Sequence, residues 1–500
     1  MDGECDGMTR IVVVGAGVGG LGAGVRLAAA GCEVLVLEAS AQVGGKLGIA
    51  RSEGHTFDTG PSLLTMPFTL TETLACAGVE LSDRLELRRV DPLCQYHWDD
   101  GSDLTTHADA DATAAAFEAF EHGAGQSWHA LLAQGKRTWD LSLPLFLSAA
   151  ISNPIDLARR SGRPIDPRDI LAHTTLERYG ARHFRDPRLR QLLDRYATYS
   201  GSDPARAPAT LSVIPYTESA YGAWHPLGGM HRIAEVLSDV IRERGGEVRC
   251  STPVSRIVTV NGRAIGVETA AGERIAADAV IANCDAAELY DNLVGAPKQA
   301  AQIATAPASL SGFVLMLGVT GRTPDLAHHN IWFPRDYRAE FADIFDDPQP
   351  PNTPTIYLCN PAATDPSCAP DGDESWFVLV NAPRHGPVDW DAEGERYQER
   401  ILDRLDALGL RARERARTII RRTPADLERL TGAPGGAIYG TASMGPRAAF
   451  LRPRNASPAY ERLYLASGSA HPGGGLPLVL LSGKIAADLI RHDLQLSGLA

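Results

Sequence analysis

Three glycines, an acid and a cation carry the clearest chemistry in this 500-residue sequence. Gly15-x-Gly17-x-x-Gly20 follows the β-branched run Ile11–Val14 and opens a helix-like stretch reaching Ala30. Gly15 permits the tight turn, Gly17 leaves room for a pyrophosphate, and Gly20 lets helix and strand pack closely. The helix start then offers free N–H groups and the positive end of its dipole to phosphate. Glu38 closes the next apolar run, Glu33–Leu37, 18 residues past Gly20. Its carboxylate can accept hydrogen bonds from both hydroxyls of an adenosine ribose and would repel a 2′-phosphate, which disfavours NADP. Gly44-Gly45-Lys46 comes next, then Phe57-Asp58-Thr59-Gly60-Pro61. Paired glycines and a cation suit a second approach to a long dinucleotide, with Lys46 balancing phosphate charge. They would equally suit a surface loop with a solvated lysine.

The elements that must position these residues can be read from pattern. Strand, glycine turn, helix, Gly31 and second strand make a βαβ start. Residues 40–65 read as glycine-rich loop. Leu85–Thr106 reads as a hairpin turning at Asp100-Gly101. Residues 109–134 and 139–200 read as mostly helical, and residues 229–244 as an amphipathic helix. Short β-like runs follow at Glu247–Arg249, Val254–Val260, Ala264–Thr269, Ala279–Ala282, Phe313–Val319, Thr355–Cys359 and Trp376–Asn381. Asp347–Pro354 is too rich in proline for a helix or central strand. A strand at Leu463–Ala466, a glycine turn and a helix over 476–492 close the chain.

Composition narrows the function. Lys plus Arg number 48 and Asp plus Glu 61, a net charge of −13, which argues against a protein that grips nucleic acid through its phosphates. Eight cysteines with no C-x-x-C pair suit a reducing cytoplasm better than a disulfide framework. The start, MDGECDGMTR, has no cationic and apolar signal pattern, and no run of about 20 apolar residues announces a spanning helix. The sequence lacks G-x-S-x-G, H-E-x-x-H and P-loop motifs, so no metal site is expected and hydrolase or NTPase readings lack support.

With these residues in place, the chain resembles the bacterial phytoene desaturase-type carotenoid oxidoreductases, within the larger amine-oxidase-like flavoproteins. GAGVGGLGAGVRLAAAG, VLVLEAS, VGGKL and GHTFDTGPSLLTMP are similar to that family's amino-terminal FAD signature. DPRLRQLLDRYATYSGSDPARAPATL, GAWHPLGGMHRIAEVL, TPTIYLCNPAATDPSCAPDGDESWFVLVNAP and LYLASGSAHPGGGLPLVLLSGKIAADLI follow in family order. The RYATYSGS run leans toward the branch acting on hydroxylated or partly unsaturated carotenoids, such as 1-hydroxycarotenoid 3,4-desaturases.

The resemblance implies an α/β protein with a Rossmann-like FAD-binding domain, built from 8–75, 228–290 and 435–500. A mixed substrate and membrane-contact domain would fill 76–227 and 291–434. It implies FAD contacts from Gly15, Gly17, Gly20, Glu38, Gly45, Lys46, Gly60 and Pro61, with Val254 against the adenine. Gly475, Leu476 and Pro477 would start the last helix against the flavin, where its dipole could stabilise negative charge. Glu218, Tyr221, His225 and His471 are the polar groups that could join catalysis, and none is compelled to. His225 stands where relatives often carry an aromatic residue, and Leu227 where many carry a charge.

The leading expectation is an FAD-dependent desaturase that introduces C=C bonds into a carotenoid by hydride transfer to flavin. The alternatives are an amine or porphyrinogen oxidase on the same scaffold, and a non-enzymatic prenyl-lipid carrier. The three intact glycines and Glu38 count against the carrier. The expected partners are a lipophilic substrate and the inner face of a membrane, met peripherally. The densest apolar patch, Trp139, Leu141, Leu143, Leu145, Phe146, Leu147 and Ile151, is flanked by Arg137, Arg159, Arg160 and Arg163. It suits an interfacial segment or a buried core helix equally.

Overall fold

A computed structural model of the chain describes residues 8–151, 154–162, 166, 168–445 and 452–496. Arg163 of the cationic flank lies outside the described residues.

Strand β1 (Arg10–Val14) and strand β2 (Glu33–Leu37) are parallel, joined by helix α1 (Val18–Ala29). Glu247–Arg249 adds outside β2, and Ala279–Ala282 then Leu463–Leu465 add beyond β1, giving a five-stranded parallel sheet. The strands are apolar on both faces because both faces are covered. Ile11 and Val13 face one core with α1, the helix Arg232–Glu243 and the last helix, Leu476–Asp493. Val12 and Val14 face a second core under the antiparallel strands Val254–Val260, Arg263–Thr269 and Arg274–Ala276. The last helix lies close against α1: a Cβ on Gly483 would stand 2.5 Å from the Gly19 carbonyl oxygen.

A second sheet of seven strands runs, in spatial order, Ala416–Arg422, Ser311–Val319, Glu374–Ala382, Ile356–Cys359, His329–Phe333, Cys94–Trp98 and Asp103–Thr106. Its pairs are antiparallel except His329–Phe333 with Cys94–Trp98. Trp390 and Tyr397 of the helix Trp390–Ala407 pack on Phe313 of one face. The other face carries a smaller core with Phe57. A three-stranded junction, Leu64–Thr65, Ala223–Pro226 and Leu87–Arg89, ties residues 64–89 to a segment more than 130 residues later.

The expected α/β class and Rossmann-like sheet are present, with two local corrections. Residues 40–65 are not all loop: Ile49–Ser52 and His55–Asp58 pair as a hairpin. The expected hairpin over Leu85–Thr106 narrows to Cys94–Trp98 with Asp103–Thr106, because Leu87–Arg89 pairs instead with Ala223–Pro226. The cis Asp91-Pro92 bond lies between the two pieces.

Candidate active site

Gly15 leaves β1 at φ 97°, a left-handed backbone that favours glycine, and its N–H donates to the Leu37 carbonyl at 2.8 Å. A Cβ on Gly17 would stand 2.5 Å from Asn283 Oδ1. That amide oxygen is buried without a hydrogen-bond partner, while Asn283 Nδ2 donates to the Ala466 carbonyl. Asn283 therefore forms one wall of the turn, and sequence reading missed it. The available signal was its place directly after the strand Ala279–Ala282, at the same sheet end as the glycines.

The second glycine loop closes on the first. Gly44 N–H donates to the Ala16 carbonyl at 2.8 Å, and a Cβ on Gly45 would meet Gly17 Cα at 3.4 Å. Gly60 packs in turn on the carbonyl of Lys46. Glu38 is buried; its Oε2 accepts from Ala16 N–H at 2.7 Å and its Oε1 from Ser40 N–H at 2.8 Å. A carboxylate has about four acceptor sites, so lone pairs remain for a diol. The approach to Val254 runs beside it, since Thr252 N–H donates to the Glu38 carbonyl at 2.8 Å.

Two cations lie on the opposite side of this cradle. Lys46 Nζ donates to the carbonyls of Ile438 at 2.8 Å and Ala437 at 3.3 Å. Arg452 is buried and donates to Tyr439 and Gly468 carbonyls at 3.0 and 3.3 Å, with its guanidinium against Gly473. Desolvation lowers the pKa of both, that of Arg452 to about 10, and Asp285 offsets part of that for each. Positive charge held mainly by carbonyls, on a buried Arg452 and an exposed Lys46, beside a backbone-lined turn fits an anionic dinucleotide. Arg452 had no sequence signal. Gly475 leads into the helix Leu476–Asp493 at φ 105°, with Pro477 in its first turn.

The four catalytic candidates sit in different surroundings. His471 Nε2 donates to the carbonyls of Phe146 and Ala149 at 2.9 and 3.0 Å, and its ring meets Phe146 edge-on. It ties the turn before the last helix to the apolar segment, and burial lowers its pKa. Glu218 accepts from Tyr196 and Tyr199 hydroxyls, each at 2.8 Å. Tyr221 is the acceptor for Trp139 Nε1 at 2.9 Å. His225 is buried with neither ring nitrogen hydrogen-bonded, and desolvation pushes its pKa down to about 4.

Glu218 borders a small buried cavity that no single motif announced. Arg195, Tyr199, His329 and Tyr357 line it with Cys94, Thr106, Leu63, Leu93 and Ala223. The Arg195 guanidinium lies over the rings of Tyr96, Tyr196 and Tyr199, and donates to Tyr96 and Tyr199 hydroxyls. His225, His328 and His329 stand in edge-on succession, with centroids 5.0 and 4.5 Å apart. The possible ligand atoms of His328, His329 and Cys359 lie within 4.8 Å of one another. Burial holds both imidazoles far below and the thiol far above their ordinary values, so this wall is uncharged. Ser62, two residues past Gly60, reaches the cavity through Tyr357 at 2.5 Å.

The glycine cradle and the buried cavity thus meet at the Gly60-Pro61-Ser62 loop. Comparison with known proteins gives the family. The family described as flavin containing amine oxidoreductase matches residues 18–491. The chain belongs to that family. It is 34% identical to the zeta-carotene-forming phytoene desaturase of Myxococcus xanthus, over 96% of this chain and 93% of that one. It is 36% identical to the hydroxyneurosporene desaturase of Rubrivivax gelatinosus, over 97% and 94% of the two chains. An oxidoreductase structure from Methanosarcina mazei superposes with a TM-score of 0.64 at 17% identity, covering 96% of this chain and 100% of that one, and supports the fold. As a phytoene desaturase-type member of the family, the chain is an FAD-dependent oxidoreductase acting on CH–CH groups.

Proposed function

We propose that this enzyme desaturates an acyclic carotenoid drawn from a membrane surface, with FAD held by the cradle around Gly15, Gly17 and Gly20. The observation that carries the reading is the meeting of a backbone-lined dinucleotide cradle with a buried cavity at residues 60–62. Glu38 takes the ribose, and Val254 flanks the adenine. Gly45, Lys46, Gly60 and Pro61 run along the dinucleotide, and the helix start at Gly475, Leu476 and Pro477 faces the flavin. The FAD-binding part comprises 8–75, 228–290 and 435–500, and the substrate part 76–227 and 291–434.

Desaturation breaks two C–H bonds on adjacent carbons and forms one C=C bond. Bound FAD supplies the acceptor for one hydrogen as hydride; the other leaves as a proton. The protein orients the chain and excludes water. The positive charge that hydride loss leaves spreads along the polyene, so the remaining proton is acidic and needs no strong base. His225, neutral at pH 7 with its pKa near 4, does not add a competing positive charge beside the cavity. His471 holds the turn before the flavin-facing helix against Phe146 and Ala149, which fixes the wall between cofactor and apolar segment.

The membrane contact is the region from the π-helical turn Leu143–Leu147 to the helix Pro154–Ser161. No helix among the described residues is long and apolar enough to cross a membrane. Pro144 and Ile155 are exposed, Leu145 is half-buried, and Arg159 and Arg160 follow on the same short helix. Apolar residues beside cations suit an anionic interface.

The test is anaerobic single turnover. The FAD-loaded enzyme, mixed with liposomes carrying an acyclic carotenoid, bleaches its flavin absorbance and gains one double bond in the polyene per flavin, without added NAD. Unchanged flavin, or an absolute need for stoichiometric NAD, rejects the reading.

A further inference from the structure

Most of the buried polar groups around the cavity have partners, but the wall at His329 does not close. His329 is buried, and its Nδ1 lies 2.9 Å from the Tyr357 hydroxyl, which lies 2.5 Å from Ser62 Oγ. Its Nε2 is buried with no hydrogen-bond partner. Whichever tautomer the ring takes, Nε2 is a buried polar atom with a hydrogen bond left to make. Arg195 Nε is likewise buried and unpartnered, on the same cavity. Unmade hydrogen bonds of buried groups are costly and rare, so such a cluster needs a polar occupant.

A hydrocarbon chain offers none. A polar pocket in an otherwise apolar polyene site would cost binding energy for a substrate that is hydrocarbon from end to end. The same groups match an oxygen atom at a chain terminus. A terminal hydroxyl, which both donates and accepts, can pair with His329 Nε2 in either tautomer, accept from Arg195 and donate to Glu218.

We infer that this cavity is an end-group pocket that receives a terminal hydroxyl of the polyene, with His329, Arg195, Tyr357 and Glu218 as its specificity-determining residues. The inference rests on the carotenoid-desaturase reading and deepens it to oxygenated, linear substrates. It also assigns the pocket a role in regiochemistry. The pocket is one hydrogen bond from Ser62 and so borders the loop proposed to run along FAD. Anchoring the terminus there fixes which carbon pair, counted from the hydroxyl, is presented for hydride loss. Tyr357 is a positioning residue: it orients His329 and is itself held by Ser62.

Two acyclic carotenoids differing only in a terminal hydroxyl, such as neurosporene and its 1-hydroxy derivative, provide the test. Each is supplied in the same liposomes to the FAD-loaded full chain. The wild type should use the hydroxylated substrate with at least roughly tenfold higher kcat/KM, since a site built for a hydroxyl rejects the analogue lacking one. His329→Leu should lower kcat/KM on the hydroxylated substrate by roughly 10- to 100-fold and leave the hydrocarbon within about threefold, so that the ratio collapses. Its products from the hydroxylated substrate should also spread over more than one double-bond position. Tyr357→Phe, which keeps the ring and its packing, should move the ratio the same way by a smaller factor. Equal use of both substrates by the wild type overturns the end-group pocket while leaving carotenoid desaturation intact. A parallel fall on both substrates in His329→Leu overturns it as well, by showing a merely structural role. Failure of the wild type to reduce flavin with either substrate removes both readings. The wild-type ratio needs no variant, so poor folding of either substitution leaves the inference open to refutation.

Discussion

The cofactor cradle and the end-group cavity are both polar, yet they are made of different material. The cradle is written in main chain: the N–H groups of Ala16 and Ser40 fix Glu38, the Leu37 carbonyl holds Gly15, and the Ala16 carbonyl holds Gly44. The cavity is written in side chains: Arg195 on three tyrosines, Glu218 between two of them, and three successive histidines. A main-chain site tolerates little change in shape because a Cβ has nowhere to go. A side-chain site keeps its shape when one group is replaced and changes what it selects. Substitutions in the cradle should therefore abolish, and substitutions in the cavity should redirect.

The largest effect is expected at Gly17. Gly17→Val should yield colourless protein, because its side chain would fill the approach to the pyrophosphate. The same side chain would also press on Asn283 Oδ1, 2.5 Å from the added Cβ. The pair Gly17→Ala with Asn283→Ala separates the two causes. It removes the clash within the protein and should restore thermal stability without restoring flavin retention. Full FAD occupancy in that double variant would show that the glycine serves only Asn283, and the cradle would have to be placed elsewhere.

Next in size is Glu38→Ala. It takes the acceptor from two backbone N–H groups and from the ribose, and each charge-assisted bond is worth about 1.5–3 kcal/mol. FAD affinity measured by titration of the apoprotein should fall by about 100-fold or more. Glu38→Gln should recover part of the loss, since an amide keeps one acceptor oxygen. An affinity unchanged in Glu38→Ala would mean that the carboxylate serves only Ala16 and Ser40.

The same contrast decides what could be read before any fold was known. The cradle was legible because β1, Gly15 to Gly20, α1, β2 and Glu38 are contiguous, and contiguous geometry leaves a spacing. The strands around it were legible as short apolar runs, down to the four residues Ala279–Ala282, but their order in the sheet was not. The cavity was not legible. Ser62, Arg195, Glu218, His329 and Tyr357 belong to five separated segments that meet only when Ala223–Pro226 pairs with both Leu64–Thr65 and Leu87–Arg89 and the seven-stranded sheet closes. Glu218 and His225 were singled out as isolated polar residues, but nothing in their own neighbourhood announced Arg195 or His329 as companions. The strands His329–Phe333 and Ala416–Arg422 were also missed. The first carries adjacent histidines, and the second ends in charged residues of an edge strand, so neither reads as a buried apolar run.

Asp58 joins the two regions and gives a smaller, pH-dependent effect. It ends the hairpin strand His55–Asp58, borders a second cavity with Ser62 and Cys359, and accepts from Met230 and His231 N–H groups at 2.8 and 3.0 Å. Desolvation raises its pKa from 3.8 to about 6 despite those bonds. Between these values the folded state binds more protons than the unfolded state, so the contribution of Asp58 to stability falls as pH rises. The total is at most roughly 3 kcal/mol, at about 1.4 kcal/mol per pH unit. In chemical denaturation, the stability advantage of wild type over Asp58→Asn should shrink from about pH 4 to about pH 6 and stay level above. A difference independent of pH would return Asp58 to an ordinary solvated carboxylate.

The smallest effect is expected where neither region lies, at the surface through which a polyene must enter. The apolar patch and the short helix that follows it offer two environments. Trp139 is buried with Met66 and Leu481, and Leu143 and Leu147 pack against that cluster. Leu145 is half-buried and Ile155 is 69% exposed. The second pair can meet a bilayer without unfolding anything. Leu145→Ser with Ile155→Ser should therefore weaken binding to anionic liposomes by roughly tenfold or more, from two partly inserted apolar side chains. Flavin content and melting temperature should stay at wild-type values. Leu147→Ser should do the reverse, lowering the melting temperature while leaving the exposed surface intact. Raised salt should add to the loss of binding if Arg159 and Arg160 meet acidic headgroups, each worth about 1 kcal/mol near the surface. A Leu145→Ser, Ile155→Ser enzyme that floats with liposomes like wild type at low salt would move the membrane contact to another face. The cradle and cavity assignments would stand, because the route by which substrate reaches them is set by separate residues.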